Sequence, residues 1–247
     1  MDQGPAPRQY SAAPPAMSDA MAAEIRVLSA GAVEPGMVKV IDAFRRETGH
    51  EVKVAFATAP EILKRLGAGE TADVVIAPPA ALDDLVKSGK VAAAEHVTVG
   101  RIGVGVAVRD GAPLPKIATV DEFKQSLLNA DSVVYNQAST GIYLESLFDR
   151  LGIGAQLKPK TTRYPDFAAV LDHVIKGKGN EIGLGASAVI IEGKNKGLRL
   201  VGPLPAEIQN YTTYAATVAA ANNAAREFVR YLTTPAAKAT FAAAGIE

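Results

Sequence analysis

The amino-acid sequence predicts an α/β protein with two lobes, in which each lobe is a mixed sheet flanked by helices. From residue 24 onward, short runs of β-branched residues alternate with segments of helical periodicity, a pattern typical of sheets covered by helices. The number of strand–helix units, about eight or nine, slightly exceeds what one doubly wound sheet usually carries. Two longer strand segments, around Ile102 and Tyr211, suit connections that cross between lobes. A closed eight-stranded barrel is the alternative, and the irregular spacing of the strands weighs against it.

The predicted strands are short apolar or alternating runs that end at turn residues. The third run is continuously apolar, which indicates burial on both faces, and Pro78-Pro79 ends it. In chain order, the predicted strands span residues 25–28, 51–56, 72–77, 102–108, 132–135, 182–184, 198–201 and 211–219.

The predicted helices carry apolar stripes with recognisable start and stop signals. Pro35 suits a first turn, Thr119 and Glu122 form a capping box, and Asn222 can cap a later helix. In chain order, the predicted helices span 35–49, 61–66, a segment after Thr119 that carries Phe123 and Leu127, 141–151, 167–175, a segment after Asn222, and a segment from Pro235 that ends before Gly245.

Composition excludes several classes of function. The 247 residues carry 26 basic and 26 acidic side chains, so the chain lacks the basic excess of nucleic-acid binders. Hydrophobic residues make up 48% of the chain, but no apolar run approaches the roughly 18–20 residues of a membrane span. We therefore expect neither nucleic-acid binding nor stable membrane insertion.

The cysteine and histidine content argues against a metal or cofactor site. The chain has no cysteine, which excludes disulfides, thiolate chemistry and cysteine-ligated zinc or iron–sulfur centres. Its histidines, His50, His96 and His173, are far apart and belong to no close ligand pair. We expect no metal and no cofactor.

Residues 1–23 are interpreted as a disordered leader or a signal remnant. They are rich in Pro, Ala and Ser and show no apolar period. A secretory signal needs an apolar core of about 7–15 residues, which is absent, although Ala20-Met21-Ala22 would suit the end of a cleaved signal.

The sequence contains one loose nucleotide-binding pattern and no nucleophile motif. Residues 183–188 match G-x-G-x-x-A, but the strand before them is short and Glu207 stands in a proline-bounded loop, where a ribose-binding acid should end a second strand. No phosphate-binding loop and no G-x-S-x-G elbow occur. No histidine is placed to activate Ser29, Ser139 or Ser187.

Small and hydroxyl residues follow three of the strands and lead into helices. These turns are Ser29-Ala30-Gly31-Ala32, Thr58-Ala59-Pro60, and residues 136–143 with the sequence NQASTGIY. The first amides of a helix lack intrahelical partners, and the helix dipole adds partial positive charge, so such turns bind anions. Plain helix caps are the alternative for any single turn. Several such turns at one edge of an α/β sheet favour a ligand site.

Two further segments add candidate ligand contacts. Arg163-Tyr164-Pro165-Asp166 precedes a helix and brings a guanidinium that can hold a carboxylate, unless Arg163 pairs with Asp166 or Glu181. The strand that begins at Tyr211 can present only one of its faces to a ligand. That face carries either Tyr211 and Thr213 or Asn210, Thr212 and Tyr214.

The chain resembles the periplasmic molybdate-binding protein family, the type II solute-binding proteins of ABC importers. The resemblance lies in residues 25–49, 56–77, 139–152 and 228–246, in that order. It implies two lobes joined by two crossing hinge strands, with a ligand in the cleft between them and closure of the lobes around it. We expect one lobe to comprise residues 24–103 plus 213–247 and the other residues 104–212.

The chain differs from this family at three positions that contact the ligand in other members. Members that hold molybdate or tungstate use a serine after each of the first two strands and a tyrosine after the strand at 182–184. Ala32, Ala59 and Ala186 stand at those positions here, while the Ser-Thr-Gly-Ile-Tyr turn with Thr140 is retained. An oxyanion against alanines would lose about 1–3 kcal/mol per unmet hydrogen bond. The departures predict a different anion, a small organic carboxylate or an oxyanion other than molybdate.

Aconitate isomerase is similar to these binding proteins and gives a second hypothesis, interconversion of cis- and trans-aconitate in the same cleft. Such an enzyme needs a base near an acidified C–H and fixed dipoles for the developing charge. Tyr211, Tyr164 and Asp166 are the candidates for that base, and no residue is assigned as catalytic otherwise. A sensor or scaffold with an empty cleft is a third, weaker hypothesis.

The leading hypothesis from the sequence is a monomeric, extracytoplasmic protein that captures a small anion and presents it to an importer permease. The predicted ligand-binding residues are those of the turns, the arginine segment and the hinge strand. They are Ser29, Ala32, Thr58, Ala59, Ser139, Thr140, Gly141, Arg163, Tyr164, Tyr211 and Thr212.

Overall fold

The computed structural model describes residues 22–91 and 96–247. The predicted leader lies outside the described residues except for its last two positions. The strands of the structure are β1 (Glu24–Ala30), β2 (Glu51–Ala57), β3 (Val74–Ala77), β4 (Val97–Arg109), β5 (Ser132–Asn136), β6 (Thr161–Tyr164), β7 (Glu181–Ala186), β8 (Leu198–Pro203) and β9 (Tyr211–Val218).

The helices begin and end close to the predicted signals. They are α1 (Glu34–Thr48), α2 (Ala59–Gly67), α3 (Pro79–Lys87), α4 (Val120–Asn129), α5 (Ser139–Arg150), α6 (Gly154–Leu157), α7 (Phe167–Lys176), α8 (Ser187–Glu192), α9 (Asn223–Tyr231) and α10 (Pro235–Ala243). Thr119 caps α4 as predicted, since its Oγ1 accepts from the Glu122 amide at 3.2 Å. Glu122 Oε2 accepts in return from the amide of Ala118, the residue before the cap, at 3.0 Å. Asn222 caps α9 through the Ala225 amide at 3.2 Å, as predicted.

The predicted strands all form, and the structure adds one strand and three helices. The added elements are β6, α3, α6 and α8. Pro78 ends β3 as expected, but Pro79 then occupies the first turn of α3, where its missing N–H costs nothing. A proline pair after a strand therefore started a helix here rather than a loop.

The sheet is open and divides into two halves that share β4. Its strand order is β2-β1-β3-β9-β4-β7-β5-β6, with β8 also paired to β4, so its edges remain separate and the barrel alternative is wrong. The first part of β4, up to Gly103, pairs with β9, whereas the part from Val104 pairs with β7 and β8. The chain crosses back into the first half at β9, whose first residue, Tyr211, pairs with Gly103 at the point where β4 passes between the halves.

The buried side chains form separate cores on the two sides of this crossing. One core contains Phe44 and Phe228 and draws on residues 25–102 and 214–246, with Ala188 as its one member from elsewhere. The other two cores, which contain Phe123 and Val174, draw only on residues 104–204. The lobe boundaries 24–103 plus 213–247 and 104–212 remain our proposal.

Candidate functional site

A cleft with a volume of about 460 Å³ lies between the two halves of the molecule, and residues of both halves line it. The turns at its edge follow β1, β2, β5, β6 and β7 and lead into helices. The lining residues in these turns are Gly31, Ala32, Thr58, Ala59, Ala138, Ser139, Thr140, Asp166, Phe167, Ala168 and Ala186. The four turns singled out in the sequence thus all reach one cleft.

The start of α5 brings unpaired peptide amides to the cleft. Its first intrahelical bond runs from the Ile142 amide to the Ala138 carbonyl at 3.0 Å, so the amides of Ser139, Thr140 and Gly141 precede the helical ladder. Asn136 Oδ1 accepts from the Ala138 amide at 3.2 Å and fixes the turn. The Thr140 side chain is buried, with 8% of the residue exposed. This turn can donate several hydrogen bonds to an anion.

Gly141 allows α5 to start this close to β5. A Cβ atom on Gly141 would overlap the Asn136 carbonyl oxygen and lie 2.9 Å from its carbon. Both atoms belong to the backbone and cannot rotate away. Gly141 therefore does not line the cleft itself, but it holds in place the two residues before it that do.

The starts of α2 and α7 contribute in different ways. In α2, the Thr58 carbonyl accepts from the Ile62 amide at 2.9 Å, so the Ala59 amide precedes the helical ladder. In α7, Asp166 Oδ1 caps the helix by accepting from the Ala169 amide at 2.9 Å. The α7 start is therefore partly satisfied by its own carboxylate.

Charged side chains line the rim of the cleft rather than its floor. They are Glu34, Lys39, Asp166, Glu192 and Lys196, and all are exposed. Among the described residues that line the cleft, none is an arginine. An anion inside would be held by peptide dipoles and hydroxyls, which need no buried counter-charge.

Tyr214 is the aromatic residue of β9 that faces the cleft, and only 5% of it is exposed. Burial raises the pKa of the Tyr214 phenol to about 12, and a hydrogen bond with Thr212 acts in the opposite direction. The phenol therefore stays a neutral hydrogen-bond donor throughout the physiological range. Because alternate residues of a strand share a face, the side of β9 that faces the cleft is the one that carries Thr212 and Tyr214.

We expect the Tyr214→Phe variant to lose less stability than the wild type between pH 10 and pH 12. A phenol whose folded pKa exceeds its unfolded value of about 10 stabilises the fold below pH 10, and this contribution disappears as the pH passes through the folded pKa. Two pKa units correspond to about 2–3 kcal/mol. Urea unfolding at pH 9 and pH 11.5 measures the difference, and parallel losses in the two proteins would contradict the assignment.

Six of the predicted binding residues do not line the cleft. Ser29 is fully buried because β1 extends through Ala30, and its hydroxyl donates to the Ala30 carbonyl at 3.3 Å. Gly141 lies beneath the α5 turn, and Thr212 adjoins Tyr214 without reaching the lining. The remaining three are Arg163, Tyr164 and Tyr211.

These three side chains have partners elsewhere. Arg163 pairs with Glu145 of α5 at 2.5 Å, rather than with Asp166 or Glu181. The Tyr164 hydroxyl lies 3.0 Å from Nδ1 of His173. Tyr211 is 44% exposed and stacks under the guanidinium of Arg101. Of the three candidate bases, Asp166 alone lines the cleft.

The structure adds lining residues that the sequence analysis did not assign to a ligand. Phe56 is the last residue but one of β2 and Phe167 is the first residue of α7, and they line the cleft from opposite halves. From the sequence, Phe167 is predicted to open the apolar stripe of the helix over residues 167–175. Its position beside the Asp166 cap was the available signal that it could face a ligand.

Residues 22–91 and 96–247 contain neither a cluster of metal ligands nor a helix that could span a membrane. Within them, no group of three histidine, aspartate or glutamate side chains is arranged to hold a metal ion. No helix in the same residues combines the length and apolar character that a membrane crossing requires.

Comparisons with known proteins agree on one family. Residues 25–247 match the family model described as bacterial extracellular solute-binding protein. The chain is 34% identical over 225 residues to an aconitate isomerase from Pseudomonas sp., covering 87% of this chain and 84% of that protein. It is 26% identical over 227 residues to the molybdate-binding protein ModA of Escherichia coli K12, covering 88% and 86%.

A similar solved structure is the periplasmic molybdate-binding protein of Azotobacter vinelandii. The TM-score is 0.75 at 17% identity, covering 90% of this chain and 98% of that one. At this identity the likeness concerns the fold alone. It shows that the two-lobed sheet with shared crossing strands is the type II fold of periplasmic binding proteins.

Proposed function

Because the chain belongs to the family of bacterial extracellular solute-binding proteins, we propose that its cleft captures a small organic anion with several carboxylates for delivery to an importer permease. Membership of this family implies an extracytoplasmic location. The identity of the anion, its capture by a monomer and its delivery to a permease are parts of the proposal.

The observation that carries the proposal is the convergence of several helix starts on one cleft, whose described lining residues include no buried charged side chain. Ser139 and Thr140 bring amides and hydroxyls from one half, and Thr58 and Ala59 bring theirs from the other. Such groups favour an anion, because the peptide dipoles and free N–H groups all present positive charge. The neutral Tyr214 phenol adds a donor at any physiological pH.

The size and apolar walls of the cleft favour an organic anion over an inorganic one. Phe56, Phe167, Leu171 and Val189 are among the lining side chains, and an inorganic oxyanion has no apolar atoms to contact them. At about 30 Å³ for each water-sized group, a tetrahedral oxyanion fills only about a third of the 460 Å³. A six-carbon tricarboxylate fills most of it.

The alanines at the cleft also bear on the choice of anion. Ala32, Ala59 and Ala186 all line it, at the positions where the sequence analysis placed hydroxyl-bearing residues in molybdate-binding relatives. Methyl groups there cannot donate to a tetrahedral oxyanion, and each unmet acceptor costs about 1–3 kcal/mol. They can contact the carbon skeleton of an organic acid.

Thermal unfolding with a panel of anions tests the proposal. A tricarboxylate at a hundred times its Kd should stabilise the protein by about 2.7 kcal/mol, which raises Tm by roughly 5–11 °C at this chain length. Molybdate and sulfate at the same concentration should leave Tm unchanged. A shift with molybdate alone would contradict the proposal, and no shift with any anion would favour a scaffold with an empty cleft.

A second candidate function is isomerisation of aconitate in the same cleft. It is supported by the identity of 34% to an aconitate isomerase, against 26% to ModA. The reaction needs no oxidant, reductant or co-substrate, because one proton leaves a carbon of the allylic system and another returns to it. Asp166 would remove the proton, since its second carboxylate oxygen does not serve the α7 cap, and the helix starts would stabilise the developing charge.

Incubation with each pure aconitate isomer tests this second candidate. Proton NMR in deuterated water would show conversion towards one common mixture from both sides, with deuterium entering the product. An unchanged isomer that nevertheless raises Tm would assign the protein to capture alone. Asp166→Asn should abolish conversion while preserving the Tm shift, because asparagine keeps a capping oxygen.

A further inference from the structure

The Gly183-Leu184-Gly185 pattern of β7 seats helix α7 directly on the sheet. A Cβ atom on Gly183 would lie 2.9 Å from Cγ2 of Val174, and one on Gly185 would overlap the ring of Phe167, with its Cζ at 2.5 Å. Alternate residues of a strand share one face, and residues seven apart share one face of a helix. The glycines that match a loose nucleotide pattern thus provide close packing between α7 and β7.

This packing decides where the Phe167 ring lies. Phe167 is the first residue of α7, lines the cleft, and packs against the core that contains Val170 and Val174. Its ring occupies the space that a side chain at position 185 would fill. Because Gly185 has no side chain, the Phe167 ring packs directly against the β7 backbone. This position leaves the space on the other side of the ring to the cleft.

We infer that Phe167, seated over Gly185, determines which carboxylates the cleft accepts. This inference rests on the proposed function and deepens it. The ring contacts the carbon skeleton of the anion, while the helix starts hold its carboxylates. A methyl group at position 185 would push the ring forward, because the backbone of β7 is fixed by its pairing with β4 and β5. The cleft would then be too small for a branched tricarboxylate, whereas a short dicarboxylate would still fit.

The test is the ratio of affinities for two probes, tricarballylate and malonate, measured by isothermal titration calorimetry. In Gly185→Ala we expect affinity for tricarballylate to fall at least about tenfold and affinity for malonate to change less than about threefold, since overpacking acts on the space for the longer acid. In the Phe167→Leu background, adding Gly185→Ala should change the ratio by less than about threefold, because the smaller side chain removes the overlap.

Gly183→Ala is the matched control. It makes the same change two residues away on the same face of β7, but the methyl meets Val174 instead of Phe167. It should lower stability without changing the ratio. Phe167→Leu alone leaves the glycine seat intact and should lower affinity for tricarballylate relative to malonate, so the inference stays testable if Gly185→Ala does not fold.

The outcomes separate the inference from the proposed function. If the wild type binds neither acid, the proposed function fails and this inference falls with it. If the wild type binds tricarballylate and the ratio is the same in every variant, the inference alone is overturned. The inference is supported if Gly185→Ala lowers the ratio when Phe167 is present but not when it is replaced by Leu, and if Gly183→Ala leaves the ratio unchanged.

Discussion

The Gly141→Ala variant should lose ligand binding and about 3 kcal/mol or more of stability. The new methyl group would overlap the Asn136 carbonyl and lie 3.2 Å from Cδ2 of Tyr135. Overpacking by one methyl group typically costs about 1–3 kcal/mol, and the cost here should be at the upper end because the obstacle is backbone. The α5 start must move away from β5, which carries Ser139 and Thr140 out of the cleft.

Equilibrium unfolding in urea and calorimetric titration of the bound anion measure the two effects of Gly141→Ala. We expect affinity to fall at least about a hundredfold, since several hydrogen bonds of about 1 kcal/mol or more would lose their geometry together. Gly67→Ala is the control, because Gly67 ends α2 with open space around it and alanine favours a helix by up to about 1 kcal/mol. If Gly141→Ala and Gly67→Ala had the same stability and the same affinity for the anion, Gly141 would have no special role in forming the site.

The sequence predicted the parts of the fold that local patterns specify. The eight predicted strands and the capped helices depend on alternation, apolar stripes and capping residues, each of which acts within a few neighbouring residues. Of the four missed elements, α3 does carry a helix signal, because Pro79 stands in its first turn, but the proline pair indicated only the end of β3. The other three elements are short. β6 has only four residues at an edge of the sheet, and α8 has six, too short for a period to appear.

The missed strand β6 explains why Arg163 is absent from the cleft. From the sequence alone, residues 163–166 are predicted to be a turn before a helix, where an arginine can face a ligand. In the structure Arg163 lies within β6 and is the registered partner of Tyr135 in β5. Registered residues of neighbouring strands point to the same face of the sheet, so Arg163 lies over the Tyr135 ring and pairs with Glu145.

A similar argument applies to Tyr211 and Ser29. Alternation along β9 made two faces possible, and only the pairing of β9 with β3 and β4 fixes which face meets the cleft. Ser29 was assigned to a turn because the apolar run ends at Leu28, yet it pairs with β2 and β3 on both sides. Site residues near strand ends thus depend on register, which is a property of the tertiary structure.

The positions that were predicted to reach the cleft and do line it share one property. All of them stand within two residues of the point where a helix begins after a strand: Ala32, Thr58, Ala59, Ser139 and Thr140. The direction of the peptide groups in such a turn is set by the helix itself, whatever the register of the strand. This is why the helix starts could be located from sequence while the side-chain contacts of Arg163 and Tyr211 could not.

If the helix starts hold the anion, Ser139→Asp should bind ligand at least about a hundredfold more weakly while its fold becomes no less stable. Ser139 is the first residue of α5 and lines the cleft. A carboxylate in the first turn of a helix is stabilising by about 0.3–1 kcal/mol. The same carboxylate would accept from the amides that the ligand needs and would repel it, by about 4 kcal/mol at 4 Å near a protein surface.

Ser139→Asp is a decisive variant because it should weaken binding of the anion while keeping or raising the stability of the fold. A variant that weakens binding through damage to the fold would lower both quantities, whereas this one should keep or raise the unfolding temperature of the ligand-free protein. Ser139→Asn is the matched control, since asparagine has the same shape without the charge and should bind within about tenfold of the wild type. Titration calorimetry and thermal unfolding of all three proteins measure the effects. Wild-type affinity in Ser139→Asp would show that the anion is held away from α5, because no bound anion could tolerate a carboxylate among the amides that hold it.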